Sequence, residues 1–229
     1  MCATVPGRFR PVPARAVGRK TMKAPRIPTM LSTIVQTALV AVDGVVFADL
    51  AACPSCGGPV SGYDTKKRIF AIIRENDRER TLHITVKRFS CAHCGCIVNA
   101  DEPFYPGTRI GSPVVDLCVT LAAMMPANRT AAWLDAVDVI VDRASCRKYV
   151  RAVPGPVPAT DLFGTSIPRS VIALSTLAAG AGGERGAASG AEVLAACGFP
   201  SAHRTPFHRP LRKEGEHRDP QEEKEERQV

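Results

Sequence analysis

Two cysteine hooks constrain this chain more than any other feature: Cys53-Pro-Ser-Cys56-Gly57-Gly58 and Cys91-Ala-His-Cys94-Gly95. Each places two thiols two residues apart, with a glycine directly after the second. A C-x2-C turn points both sulfurs at one locus, and the glycine lets the backbone leave with φ > 0. Four thiolates close a tetrahedral structural site, so we assign metal ligation to Cys53, Cys56, Cys91 and Cys94, with Zn2+ as the expected ion. Iron in a rubredoxin-like site uses the same donor set and stays open. Disulfides, or a redox dithiol at Cys53 and Cys56, leave the matched second hook unexplained, and no thioredoxin-like pattern surrounds Cys53. His93 and Cys96 flank the second hook; the first reads as a loop side chain and the second as a spare thiol.

The segment between the hooks reads as a β-hairpin. Arg68 to Ile73 has strand composition, Glu75 to Glu79 is a polar turn, and Thr81 to Lys87 alternates polar and apolar residues. A ribbon this small has little apolar surface of its own, so metal binding and folding are expected to be one event. Removing one ligand should then unfold it.

The remaining elements follow from periodicity and caps. Leu31, Ile34, Val35, Ala38, Leu39 and Val42 form one helical stripe, expected to pack on the ribbon or on a second copy of the chain. The stretch is too short and too polar to span a bilayer, and a signal peptide would need an unusually long, proline-rich leader. Val45 to Phe47 reads as a short strand. After the ribbon, Ser112-Pro113 starts a helix that Pro126 stops, and Asn128 caps a second helix through Ala136. Asp142 caps a third helix that runs to about Arg151.

The fold class expected from this order is α+β: a zinc-ribbon hairpin, then a three-helix helix-turn-helix bundle, with disordered termini. In segments, 1–28 is a disordered basic arm, 29–52 the amphipathic helix and lead-in strand, and 53–103 the zinc ribbon. Residues 104–152 form the helix-turn-helix, 153–203 a Pro/Gly-rich linker with short helices, and 204–229 a disordered charged tail.

Charge directs the functional reading. The net charge is +8, and residues 1–30 carry seven basic side chains with no acidic one. Such an arm suits a phosphate backbone, although a solvated tail has the same composition. The third helix of the triplet adds Arg143, Arg147, Lys148 and Arg151, which with Ser145 are the candidate contacts to double-stranded DNA. Nine cysteines, an odd number spread through hooks and helices, fit a reducing cytoplasm. No membrane partner is expected. A homodimer is compatible with the sequence, and no heptad pattern fixes it.

From Cys53 to Arg151 the chain resembles the N-terminal, DNA-binding region of microbial insertion-sequence transposases, in which a CxxC…CxxC ribbon precedes a helix-turn-helix. The resemblance places Cys53, Cys56, Cys91 and Cys94 as ligands and Arg143 to Arg151 as the recognition helix. It also implies a ribonuclease-H-like domain with three catalytic carboxylates and paired divalent metals. Between Arg151 and the charged tail there are only Asp161, Glu184 and Glu192, in glycine- and alanine-rich surroundings. The expectation is therefore a DNA-binding protein that is not an enzyme. The alternative is a zinc-ribbon adaptor that docks protein partners through the stripe at Leu31 to Val42 and a helix at Pro168 to Leu177.

Overall fold

A computed structural model describes residues 27–153, 155–181 and 188–199. The basic arm up to residue 26, the tail from residue 204 and Glu184 lie outside the described residues. In chain order the elements are α1 (Thr29–Val40), β1 (Val46–Phe47), β2 (Val60–Glu75), β3 (Arg78–Cys91), β4 (Ile97–Asn99), α2 (Ser112–Met124), α3 (Ala127–Ala136), α4 (Arg143–Ala152), β5 (Ala159–Leu162), β6 (Thr165–Pro168), α5 (Arg169–Ala181) and α6 (Gly190–Ala196). The class is mixed α+β.

The hairpin turn is tighter than its composition suggests. Asn76 and Asp77 take φ of 50° and 58°, the left-handed pair that a two-residue turn needs to match strand twist. Strands therefore run to Glu75 and restart at Arg78, and β3 carries straight into Cys91. β1 pairs parallel to β3 through Phe47 and Val86, and β4 pairs antiparallel to it through Phe89 and Val98.

The two ends of this long hairpin have different surroundings. At the turn end, Phe70, Ala71, Ile73, Leu82 and Ile84 are buried, whereas Ser61 to Lys67 are exposed throughout. A bulge between Ile69 and Ala71 leaves Phe70 as the extra residue. Its ring meets Phe104 edge-on at 6.4 Å. A Cβ at Gly111 would lie 2.3 Å from it, so glycine is the residue that lets the loop before α2 close on the ring.

Helices complete the same core. Leu31, Val35, Ala38 and Leu39 of α1 are fully buried, and the helix packs chiefly on α5 rather than on the ribbon. α2, α3 and α4 pack on one another. The link before α4 is tied to the hairpin: Val139 bridges Ile73, the Arg74 N–H donates to the Asp138 carbonyl at 2.8 Å, and Ile140 N–H donates to the Ile72 carbonyl at 2.9 Å. The Arg74 guanidinium adds an ion pair to Asp135 at 2.8 Å.

Several local expectations shift. Ser112 is the first helical residue rather than the cap; Gly111 takes that place, and the Ser112 N–H donates to the Pro103 carbonyl. The second helix starts at Ala127, ahead of Asn128, with Pro126 before it. Asp142 caps α4 as its side chain suggests, accepting from the backbone N–H groups of Ala144 and Ser145 at 2.7 and 3.0 Å. Residues 153–203, read as a linker with short helices, contain the hairpin β5–β6 and the two packed helices α5 and α6. Ile167, Val171, Leu174 and Val193 from this stretch are fully buried. A buried carboxylate fixes it in place: Asp116 of α2 accepts from the Tyr105 hydroxyl at 2.5 Å and from the Ser170 hydroxyl of α5 at 2.6 Å.

Candidate metal centre

The two hooks fold as near copies of each other. In the first, the Gly57 N–H donates to the Cys53 carbonyl at 2.8 Å and the Cys53 N–H to the Gly58 carbonyl at 3.0 Å. In the second, Gly95 N–H donates to the Cys91 carbonyl and Cys91 N–H to the Cys96 carbonyl, both at 3.0 Å. Gly57 and Gly95 take φ of 72° and 68°, the left-handed exit that a side chain would strain. Pairing of Val60 with Cys91 at the start of β2 brings one hook against the other.

The result is a cluster of four sulfurs. Cys53 and Cys94 Sγ are 3.7 Å apart, Cys56 and Cys91 Sγ are 3.5 Å apart, and all four lie within 4.8 Å of one another. Four ligands each about 2.3 Å from one ion stand about 3.8 Å from each other. The donor set and its spacing therefore fit a tetrahedral metal. Cys53 and Cys91, the first thiols of the hooks, are buried, while Cys56 and Cys94 reach the surface. The backbone N–H of Ser55, aided by that of Cys56, holds the Cys53 thiol down at about 6 and favours its thiolate, while at Cys56 the Gly58 N–H is outweighed by the Cys91 and Cys94 sulfurs and the thiol is pushed up to about 12.

Gly58 is a part of the site that ligand spacing alone did not single out. A Cβ there would lie 2.7 Å from the His93 Cβ and 3.3 Å from the sulfurs of both Cys56 and Cys91. The doublet Gly57-Gly58 in the first hook, against the single Gly95 in the second, was the available signal. His93 and Cys96 are exposed and outside the four-sulfur group. Cys96 contributes its carbonyl rather than its thiol.

The helix with the candidate DNA contacts follows a link that is tied to the other end of the ribbon. Cys146 and Tyr149 turn α4 into the core, and Arg143, Arg147, Lys148 and Arg151 are all exposed. Ser145 is half-buried, and its hydroxyl donates to Asp142 Oδ2 at 2.6 Å as part of the cap. The link that leads into α4 joins the sheet at Ile73 through Val139, while the sulfurs sit beside Val60. Thirteen residues of strand separate these points, roughly 40 Å at strand rise.

Two of the three carboxylates weighed against a catalytic domain, Asp161 and Glu192, fall within the described residues. Asp161 is exposed on β5, and Glu192 of α6 caps its own helix by accepting from Ser189 N–H and Oγ at 2.8 Å. Among the described residues, no helix is long and apolar enough to cross a membrane. No protein-family model, curated protein or solved structure matches this chain.

Proposed function

We propose that the chain is a zinc-dependent protein that binds double-stranded DNA, resembling the DNA-recognition part of a transposase and lacking strand-transfer chemistry. The observation that carries this reading is α4, where four cations lie on the outer face and Cys146 and Tyr149 fix the inner one. Cations held on a docked helix, rather than on a loose tail, can meet phosphates and base edges in a defined register. Cys53, Cys56, Cys91 and Cys94 would hold zinc, whose role is to brace the outer ribbon. The basic arm adds attraction that weakens with salt.

The adaptor reading has less in its favour. α1 and α5 carry the two stripes it relies on, and they pack against each other.

Replacing Arg147 and Lys148 together by alanine tests the proposal. Duplex affinity should fall on the order of tenfold or more, and the log–log salt slope should shrink by about 2. Metal content, read by elemental analysis at one zinc per chain, should not change. Unaltered affinity and slope would overturn the role of α4.

A further inference from the structure

Cys118 of α2 and Cys146 of α4 are both fully buried, with their sulfurs 3.8 Å apart and Cys118 donating its S–H to Cys146. They lie outside the four-sulfur cluster, and the DNA-binding reading makes no use of either thiol. Core cysteines are often inert small hydrophobes. This pair differs in that its two sulfurs face each other across a helix–helix contact. A disulfide needs the sulfurs about 2.0 Å apart, so closure takes an approach of about 1.8 Å. Such an approach would have to come from side-chain rotation together with a shift of α4 toward α2, whose packing against each other already holds the two cysteines in contact.

We propose that Cys118 and Cys146 form a redox site whose disulfide latches α4 to α2 when the protein meets a peroxide. The chemistry has a direction. The S–H of Cys118 is the first influence holding the Cys146 thiol low, while the same contact and then burial push Cys118 up. Cys146 is therefore the attacking sulfur. Its thiolate displaces hydroxide from hydrogen peroxide, and the hydroxide takes a proton to leave as water and a Cys146 sulfenic acid. The Cys118 sulfur then attacks that sulfenic sulfur, forming the S–S bond and releasing a second water. Two thiols are oxidised by two electrons in total, and one peroxide is reduced to two waters.

The site lies on the inner face of α4, opposite its exposed cations. Closure therefore clamps the helix while leaving Arg143, Arg147, Lys148 and Arg151 outward. Because both thiols are buried, the peroxide reaches Cys146 through local opening of α4, a ten-residue helix.

The test uses the full-length, metal-loaded chain with hydrogen peroxide, followed by alkylation under denaturing conditions and tryptic mapping. The sequence puts Cys118 in peptide 110–129 and Cys146 in peptide 144–147. The expected result is a species joining these two peptides, abolished by a thiol reductant and by Cys146→Ser. Hydrogen exchange of residues 143–152 should slow about tenfold in the linked form. Full alkylation of both thiols while exposed Cys96 oxidises would overturn the proposal, as would an unlinked sulfinic acid at Cys146. A linked pair without slower exchange would refute the latch. Because mapping is done on the natural sequence, a poorly folding variant does not blunt the result.

Discussion

The two ends of the β2–β3 hairpin are built from one pair of strands and stabilised in different ways. The turn end buries Phe70, Ile73, Leu82 and Ile84 in a core shared with the helices, and the link before α4 extends its hydrogen bonding. The hook end exposes Ser61 to Lys67 of β2, keeps only Val86 and Phe89 of the facing β3 stretch in the core, and converges four sulfurs. Hydrophobic burial is non-directional and spreads over many contacts, whereas a metal site concentrates its stabilisation on a few bonds. The comparison therefore bears on the expectation that metal binding and folding are one event, because the turn end has a core to fold against.

The strongest way to break this contrast is at the turn end. Phe70→Ala removes a fully buried ring that contacts Phe104 and sits against Gly111. It should cost about 3–5 kcal/mol of global stability, seen as a lower urea midpoint for the whole chain. A loss confined to the hairpin would mean that the turn end and the helices share no core.

Metal removal attacks the other end. Chelation, or Cys91→Ser, should abolish amide protection around both hooks and the outer strands while the main unfolding transition persists. Hydrogen exchange followed by mass spectrometry separates the regions. Collapse of the entire chain without metal would show the ends to be one cooperative unit. That outcome would restore the metal-dependent folding expected from the hairpin's size.

Sequence made the hook end legible because its determinants are local. Cysteine spacing, the glycines after each hook and the alternation in β3 all lie within a few residues, and Asp142 announced its cap in the same way. The turn end and the C-terminal packing depend on pairs far apart in the chain. Ile73 meets Val139, Asp116 meets Ser170, and α1 meets α5. No local pattern encodes these partnerships. The Pro- and Gly-rich composition of 153–203 suggested a linker, yet Phe163 and Gly164 take φ of 51° and 73° and make the tight turn of β5–β6. Ser112 carried a capping signal, but Gly111 was required against Phe70 and took the position.

A finer probe of the hook end is Gly58→Ala. The new Cβ would meet His93 and two ligand sulfurs, so the hooks must separate slightly. Metal affinity should fall about tenfold, in the range for changes beside a ligand shell, as measured by competition with a coloured chelator. Global stability of the metal-loaded chain should change little. An unaltered affinity would show that His93 yields freely and that this close approach is not part of the site.

The smallest expected effect belongs to the helix that the turn end supports. Asp142 accepts from two backbone N–H groups and from the Ser145 hydroxyl. That hydroxyl first, with the Ser145 N–H behind it, holds the carboxyl below its usual range. Its folded value is thus lower than its unfolded one, so the cap contributes fully above about pH 4 and loses its contribution as pH falls through the folded value. Asp142→Ala should cost about 1 kcal/mol at neutral pH, and the gap between variant and natural chain should close in acid. Asp142→Asn should retain most of the cap at neutral pH, because an amide oxygen accepts the same N–H bonds. Equal destabilisation by alanine and asparagine would instead assign the effect to charge at the start of α4 rather than to the hydrogen bonds that begin the helix.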